Sequence, residues 1–208
     1  VEPFFTLAIN LSGTSLNDER FLEFLIAQLA NHDLTPGAIC FEITETAAIA
    51  SFSQAKRFID ALKTENGCKF ALDDFGTGYS SLTYLRHLPT RQLKIDQSFV
   101  RNMLDDPDDL AILDGVIGLA AAFRREVIAE GVETTEHGQL LLRLGCEWAQ
   151  GYAIAKPMPA EVFAQWAATW QPPQVWMETP RTRREELPLL FAAVEHRAWI
   201  AAISSHLL

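Results

Sequence analysis

The sequence predicts an α/β protein in which parallel strands alternate with helices. Short apolar runs typical of strands alternate with longer amphipathic stretches, and a polar residue closes nearly every predicted strand. About six such strand–helix units occur before residue 170. Both an open sheet of parallel strands and a closed (β/α)8 barrel fit this pattern, although a complete barrel typically needs about 250 residues.

The predicted strands are short and apolar, and turn residues or helical patterns separate them. They are FTLAIN (5–10), AICFEIT (38–44), KFALDD (69–74), QLKID (92–96), EVIAE (126–130) and CEWAQ (146–150). Side chains alternate between the two faces of a strand, so Asn10 and Glu42 oppose the apolar residues beside them. The apolar set is expected to face the helices, and the polar set the barrel axis.

The predicted helices carry recognisable start and stop signals. Three of them have clear N-terminal caps. The first is capped by Asn17 or Ser15 and runs to about Asn31, the second is capped by Ser51 or Ser53 and runs to about Asn66, and the third is capped by Thr134 or Thr135 and runs to Leu144, with Gly145 at its end.

The chain is expected to have three parts. Residues 1–170 form the barrel-like part, and the proline-rich, charged and aperiodic segment 171–186 forms a linker. An amphipathic helix over 187–208 is expected to dock on the barrel, to pair with a second copy, or to begin an appended regulatory domain. The start inside a strand, without a preceding cap, predicts two further units upstream.

Composition excludes several classes of partner. The chain has 27 acidic and 17 basic side chains, a formal charge of −10, which excludes sequence-independent attraction to nucleic acid polymers or anionic membranes. Cys40, Cys68 and Cys146 are far apart within or beside apolar runs, as unpaired thiols of a reducing compartment are. No apolar stretch reaches membrane-spanning length, and these features together predict a cytoplasmic location.

Polar residues at the strand ends form the candidate site. They are Asn10, Glu42, Asp73, Asp74, Lys94, Asp96, Glu130 and Gln150. Barrel enzymes keep their sites at this end of the strands. Carboxylates converging beside one lysine would repel one another unless hard cations held them, and an all-oxygen ligand set favours magnesium or manganese. Two such ions suit phosphodiester hydrolysis. Taken singly, each residue also fits a helix cap, a loop contact or a surface ion pair.

A glycine-containing loop follows the adjacent aspartates. In DDFGTGYSSL (73–82), Gly76 and Gly78 flank Thr77 and permit a mobile loop over the site. An ordinary tight turn between strand and helix remains the alternative.

Six motifs together resemble the EAL-type phosphodiesterases, which hydrolyse cyclic di-GMP to the linear dinucleotide. They are INLS (9–12), FEITET (41–46), DDFGTGYSSL (73–82), LKID (93–96), IAEGVET (128–134) and QGY (150–152) with Pro157. The resemblance covers roughly residues 1–170 and implies a modified TIM barrel, here truncated at its N-terminus to about six units. The Glu-Ala-Leu signature, which carries another first-metal ligand, is absent from residues 1–208 and is expected upstream.

The resemblance also implies a role for each matching residue. Asn10, Glu42 and Asp73 match ligands of a first metal ion, and Asp73 would bridge to a second ion held by Asp74 and Glu130. Glu130 also matches the proposed general base, and Lys94 the lysine that touches the nucleophilic water and the phosphate. Supporting positions are matched by Asp96, Glu133, Gln150 and Glu45, the last tethering the loop around Gly76, Thr77 and Gly78.

Two alternatives to an enzyme stay open at this point. The chain fits a degenerate receptor that binds cyclic di-GMP without cleaving it, or a scaffold that dimerises and binds no metal. Expected partners are cyclic di-GMP, a second copy of the chain, and an upstream sensor or GGDEF-type domain. The stretch HRAW (196–199) resembles the opening helix of a chemoreceptor-type zinc-binding domain.

Overall fold

The computed structural model describes residues 5–77 and 82–181. The chain divides into two compact units, one up to Lys94 and the other from Ile95 onward. The predicted helix over 187–208, residues 182–186 of the predicted linker and Gly78 lie outside the described residues.

The first unit is a parallel sheet with helices between its strands. Its elements are β1 (Leu7–Leu11), α1 (Gly13–Leu16), α2 (Glu19–Ala30), β2 (Ile39–Thr44), α3 (Glu45–Ala50), α4 (Phe52–Asn66), β3 (Lys69–Phe75), α5 (Leu82–His87) and β4 (Gln92–Ile95), whose last residue opens the second unit. The strands lie in chain order, and β1, β2 and β3 pair in parallel.

The core of the first unit lies between the sheet and α4. Phe41 and Phe70 on neighbouring strands bring their ring centroids within 5.5 Å, and both rings are buried. Phe58, Ile59 and Leu62 of α4 are no more than 1% exposed. Burying apolar surface of this kind contributes about 25 cal/mol per Å², so the packing of these two layers stabilises the unit.

The start of α2 differs from the prediction. Ser15 and Asn17 do not begin this helix, because residues 13–16 form the separate short helix α1, which Ser12 caps. The side chain of Asp18 accepts hydrogen bonds from the amides of Arg20 and Phe21 and caps α2 instead. The negative charge of an aspartate at this position also interacts favourably with the positive end of the helix dipole.

The second unit continues the alternation of strands and helices. Its elements are α6 (Gln97–Asn102), α7 (Pro107–Ala122), β5 (Glu126–Ala129), α8 (Thr135–Leu144), β6 (Trp148–Ala149), α9 (Ala160–Thr169) and α10 (Gln174–Glu178). Strands β5 and β6 pair in parallel. As predicted, Thr134 caps α8 with its hydroxyl and Gly145 ends the helix at a φ of 86°.

The segment predicted as a linker begins with ordered structure. Residues 174–178 form α10, which packs on α8, and Trp176 is only 7% exposed. The sequence did not predict this helix, because it is too short to show a helical repeat and prolines precede it. One buried tryptophan anchors it. Arg181 follows, 3.6 Å from the Glu147 carboxylate.

All three cysteines are buried and unpaired. Burial raises the pKa of the thiols of Cys40 and Cys146 to about 12 and that of Cys68 to about 11. The expectation of free thiols that pack as small apolar groups fits these positions.

The prediction of an α/β chain with six strands is confirmed. Within the described ranges, every strand lies within two residues of its predicted bounds. None of the helices in the described part of the chain has the length and apolar character needed to cross a bilayer.

Candidate active site

The carboxyl ends of the first three strands bring polar residues onto one face of the first unit. In the register of the sheet, Asn10 of β1 lies beside Glu42 of β2, and Thr44 lies beside Asp73 of β3. Because side chains alternate along each strand, Asn10, Glu42 and Asp73 share a face. Asn10 is exposed, whereas the two carboxylates are buried.

Lys94 of β4 forms a buried ion cluster with these two carboxylates. Its Nζ donates a hydrogen bond to Glu42 Oε2 over 2.8 Å and lies 3.1 Å from Asp73 Oδ1. The side chains of Lys94 and Glu42 are each 3% exposed. One buried cation therefore faces two buried carboxylates, so negative charge is in excess there.

The electrostatics of Glu42 reflect this excess. Burial raises the pKa of the Glu42 carboxyl above its ordinary value; Lys94 opposes the shift, and the charges of Asp73 and Asp74 add to it. A raised carboxyl pKa stabilises the fold through the protonated form. This contribution is present at acid pH and is lost as the pH rises through the raised pKa.

Asp73 carries an oxygen suited to a cation. Although Oδ1 lies within ion-pair distance of Lys94, it is buried and accepts no hydrogen bond from any described residue. A buried carboxylate oxygen that accepts no hydrogen bond has its lone pairs available, and it is therefore a good ligand for a hard divalent cation.

Asp74, next to Asp73, departs from regular strand geometry. It has a φ of 54°, in the left-handed region that non-glycine residues rarely adopt. Such a conformation costs about 1–3 kcal/mol and interrupts the alternation of a strand. The two consecutive aspartates therefore bring carboxylate oxygens within 4.8 Å of each other.

Glu45, at the start of α3, reaches the loop after β3. Its buried carboxylate Oε2 accepts a hydrogen bond from the Gly76 amide over 3.2 Å. Gly76 has a φ of 103°, which favours glycine. The Thr77 hydroxyl donates to the Asp74 carbonyl over 3.0 Å. Contacts to both sides of Phe75 thus order the start of this loop.

Removing the Glu45 carboxylate should loosen the loop. In Glu45→Ala we expect exchange of the Gly76 amide to accelerate by about 10–100-fold, which corresponds to a charge-assisted hydrogen bond of about 1.5–3 kcal/mol. Amide hydrogen exchange would measure this, with Glu23→Ala on the exposed face of α2 as the control. Equal exchange at Gly76 in both variants would contradict the tether.

Glu130 lies directly after β5 in the second unit. Its amide donates to the Ile95 carbonyl over 3.2 Å, which continues the sheet pattern to the end of the strand. Gly131 follows at a φ of 73°, and a Cβ there would lie 2.7 Å from Cβ of Gln97. Only glycine fits this approach, so the backbone leaves β5 along a defined path.

Glu133 and Gln150 flank the same backbone segment. Arg101 lies 3.4 Å from the Glu133 carboxylate. The Val132 amide donates to the Gln150 carbonyl over 3.0 Å. Gln150 Oε1 is buried and, among the described residues, accepts no hydrogen bond.

Of the two roles predicted for Asp96, a helix cap and a support of the site, the structure has the helix cap. Its carboxylate accepts a hydrogen bond from the Ser98 amide over 2.9 Å and caps α6. A role in supporting the site therefore remains a prediction.

His137 lies beside the same segment. Its ring is buried, as that of a packing residue is, and Nδ1 accepts a hydrogen bond from the Glu133 amide over 3.3 Å. A histidine four residues after an acid, with no metal-binding spacing, gives no sequence signal for such a contact.

Comparisons with known proteins identify relatives of the chain. A family model described as EAL domain matches residues 2–157. The cyclic di-GMP phosphodiesterase RocR of Pseudomonas aeruginosa is 38% identical over 162 residues, 78% of this chain and 41% of RocR.

Two solved structures share the fold. The MucR phosphodiesterase of Pseudomonas aeruginosa, in complex with cyclic di-GMP, is 36% identical, with a TM-score of 0.71 over 75% of this chain and 63% of that one. BlrP1 of Klebsiella pneumoniae, in a complex with manganese and cyclic di-GMP, is 34% identical, with a TM-score of 0.64 over 71% of this chain and 38% of that one. These likenesses confirm the barrel-type α/β fold class.

The chain is shorter than its relatives. It spans between 22% and 25% of the length of the first curated proteins that it matches.

Proposed function

Because the chain belongs to the EAL domain family, we propose that it is a phosphodiesterase domain that hydrolyses cyclic di-GMP to the linear dinucleotide with the help of divalent metal ions. The observation that carries the proposal is the buried cluster of Glu42, Asp73 and Lys94, with Asp73 Oδ1 accepting no hydrogen bond from the described residues. A scaffold would gain nothing from an excess of buried negative charge.

The residues fit hard metal ions. Asn10, Glu42 and Asp73 would hold a first ion, and Asp73, Asp74 and Glu130 a second, all through oxygen atoms that magnesium and manganese prefer. Two such ions, when bound, neutralise phosphodiester charge and make water more acidic. Manganese in the BlrP1 complex and the oxygen-only ligand set support this assignment.

The protein groups have separate tasks in the proposed reaction. Glu130 would accept a proton from the attacking water, which is the task of a general base. Lys94 would place its amino group near the phosphate while restraining Glu42 and Asp73. Glu45 would hold the loop at Gly76 and so limit the access of water.

Product formation and manganese binding together test the function. The chain, alone and within a longer protein that supplies a Glu-Ala-Leu segment, is incubated with cyclic di-GMP and magnesium or manganese, and the linear dinucleotide is measured. Product supports the proposal. Cyclic di-GMP binding without product from either form would favour a receptor, and the absence of manganese binding in calorimetry would favour a scaffold.

Replacing Glu130 by glutamine should slow hydrolysis in the form that shows activity. The amide keeps the size of the side chain but accepts no proton, so turnover is expected to fall by about 10²–10⁴-fold with little change in KM. Steady-state kinetics would measure this, with Glu126→Gln at the other end of β5 as the control. Wild-type turnover in Glu130→Gln would remove the assigned base.

The surroundings of the domain are also proposals. The relative MucR is named as a bifunctional diguanylate cyclase and phosphodiesterase, which supports a GGDEF-type domain in the parent protein. A homodimer and a cytoplasmic location are proposed as well, the first because twofold dimers are the commonest assemblies.

A further inference from the structure

Trp176 of α10 lies beyond residue 157, where the family match ends. Its indole Nε1–H donates a hydrogen bond to the Thr135 carbonyl over 2.7 Å, and the side chain is 7% exposed. A tryptophan buried with its one donor paired makes a specific contact. The contact partner is the first turn of α8.

Gly138 provides the surface on which the indole lies. A Cβ at Gly138 would lie 2.4 Å from Cε2 and Cζ2 of Trp176, well inside any real carbon–carbon contact. The ring therefore rests against the helix backbone, and a larger residue at position 138 would displace it.

The first turn of α8 is bonded to the segment that carries the candidate base. The Thr134 hydroxyl accepts the His137 amide over 3.3 Å, and His137 Nδ1 accepts the Glu133 amide over 3.3 Å. Val132 is fully buried, and its amide bonds to the Gln150 carbonyl. Contacts thus run from Trp176 through the first turn of α8 to the Glu133 amide, three residues after Glu130 in the chain.

We propose that Trp176 is a positioning residue that holds the segment 130–134 in place through the first turn of α8. The chain after the family match would then control the candidate general base from outside the site. The role of Glu130 in this inference rests on the proposed function, whereas the control of the segment does not.

Amide hydrogen exchange on the full chain tests the inference without any assay of activity. In Trp176→Ala, we expect the amides of Glu133, His137 and Gly138 to exchange at least about 10-fold faster, because local opening costs less free energy. The amides of Leu113 and Ile117 in α7 should keep their rates. Met177→Ala is the matched control, since Met177 is the next residue in α10 and is 69% exposed.

Two further variants separate positioning from general stability. Trp176→Phe keeps a ring over Gly138 and should restore part of the protection. Gly138→Ala, a change that ordinarily favours a helix, should instead reproduce the faster exchange because its Cβ displaces the indole.

Two outcomes would overturn the inference: unchanged exchange at Glu133 and His137, or equal acceleration in α7. In a chain that hydrolyses cyclic di-GMP, Trp176→Ala should also lower kcat more than it raises KM. If the exchange result holds and the wild type shows no hydrolysis, the proposed function fails while the positioning of the segment stands.

Discussion

Lys94→Met is expected to destabilise the metal-free protein by about 3–5 kcal/mol, because it leaves Glu42 and Asp73 buried without a compensating charge. Methionine keeps most of the length of the lysine side chain, so the loss comes chiefly from the charge. Urea denaturation followed by circular dichroism at several pH values would measure the effect.

The loss should depend on pH with a definite sign. Lys94 opposes the raised pKa of Glu42, so its removal raises that pKa further. Stability from the protonated carboxyl is full below its ordinary pKa and falls as the pH rises through the raised one. The deficit of Lys94→Met should thus be small in acid and largest near neutral pH.

Two comparisons sharpen this experiment. Lys56→Met removes an exposed pair with Asp60 on α4 and should cost about 0.5 kcal/mol or less. Adding Glu42→Gln to Lys94→Met should recover part of the lost stability, since one buried charge disappears. A deficit in Lys94→Met no larger than that in Lys56→Met would show that the buried cluster is not a charge pair of this strength.

Asp73→Asn is expected to abolish manganese binding and hydrolysis while leaving the fold intact. Asparagine has the same shape, but it lacks the negative charge that a bridging ligand supplies. Manganese affinity should fall by more than about 10²-fold, the upper range for residues that only support a ligand. Isothermal titration with manganese would measure this.

Unlike Lys94→Met, Asp73→Asn should not lose stability. Asp73 adds to the repulsion that raises the pKa of Glu42, so its neutralisation should keep or increase the free energy of unfolding without metal. Asp109→Asn in α7, where the carboxylate accepts from Asn102, serves as the control. Unchanged manganese affinity in Asp73→Asn would defeat the bridging role.

The alternation of apolar and polar residues was enough to predict the strands. Short parallel strands with buried faces are rich in residues such as Phe41 and Ile43, and the caps at Thr134 and Gly145 follow from local chemistry. The polar strand ends were found for the same reason, because a parallel sheet directs its carboxyl ends to one edge.

Contacts between distant segments could not be predicted in this way. The hydrogen bond from Glu133 to His137 and the seat of Trp176 on Gly138 depend on backbone paths that no residue pattern encodes. The left-handed Asp74 is a similar case, since its strain is sustained by the surrounding fold and contradicts its own preference. Short helices such as α10 were missed because five residues show no helical period.

The buried cysteines provide a separate reporter for each unit. Cys40 and Cys68 belong to the first unit and Cys146 to the second, and their high pKa values keep few thiolates available to an alkylating reagent. Labelling therefore proceeds only when the surrounding unit opens. Since all five tryptophans lie after residue 147, none belongs to the sequence of the first unit, and alkylation of Cys40 and Cys68 reports its unfolding directly.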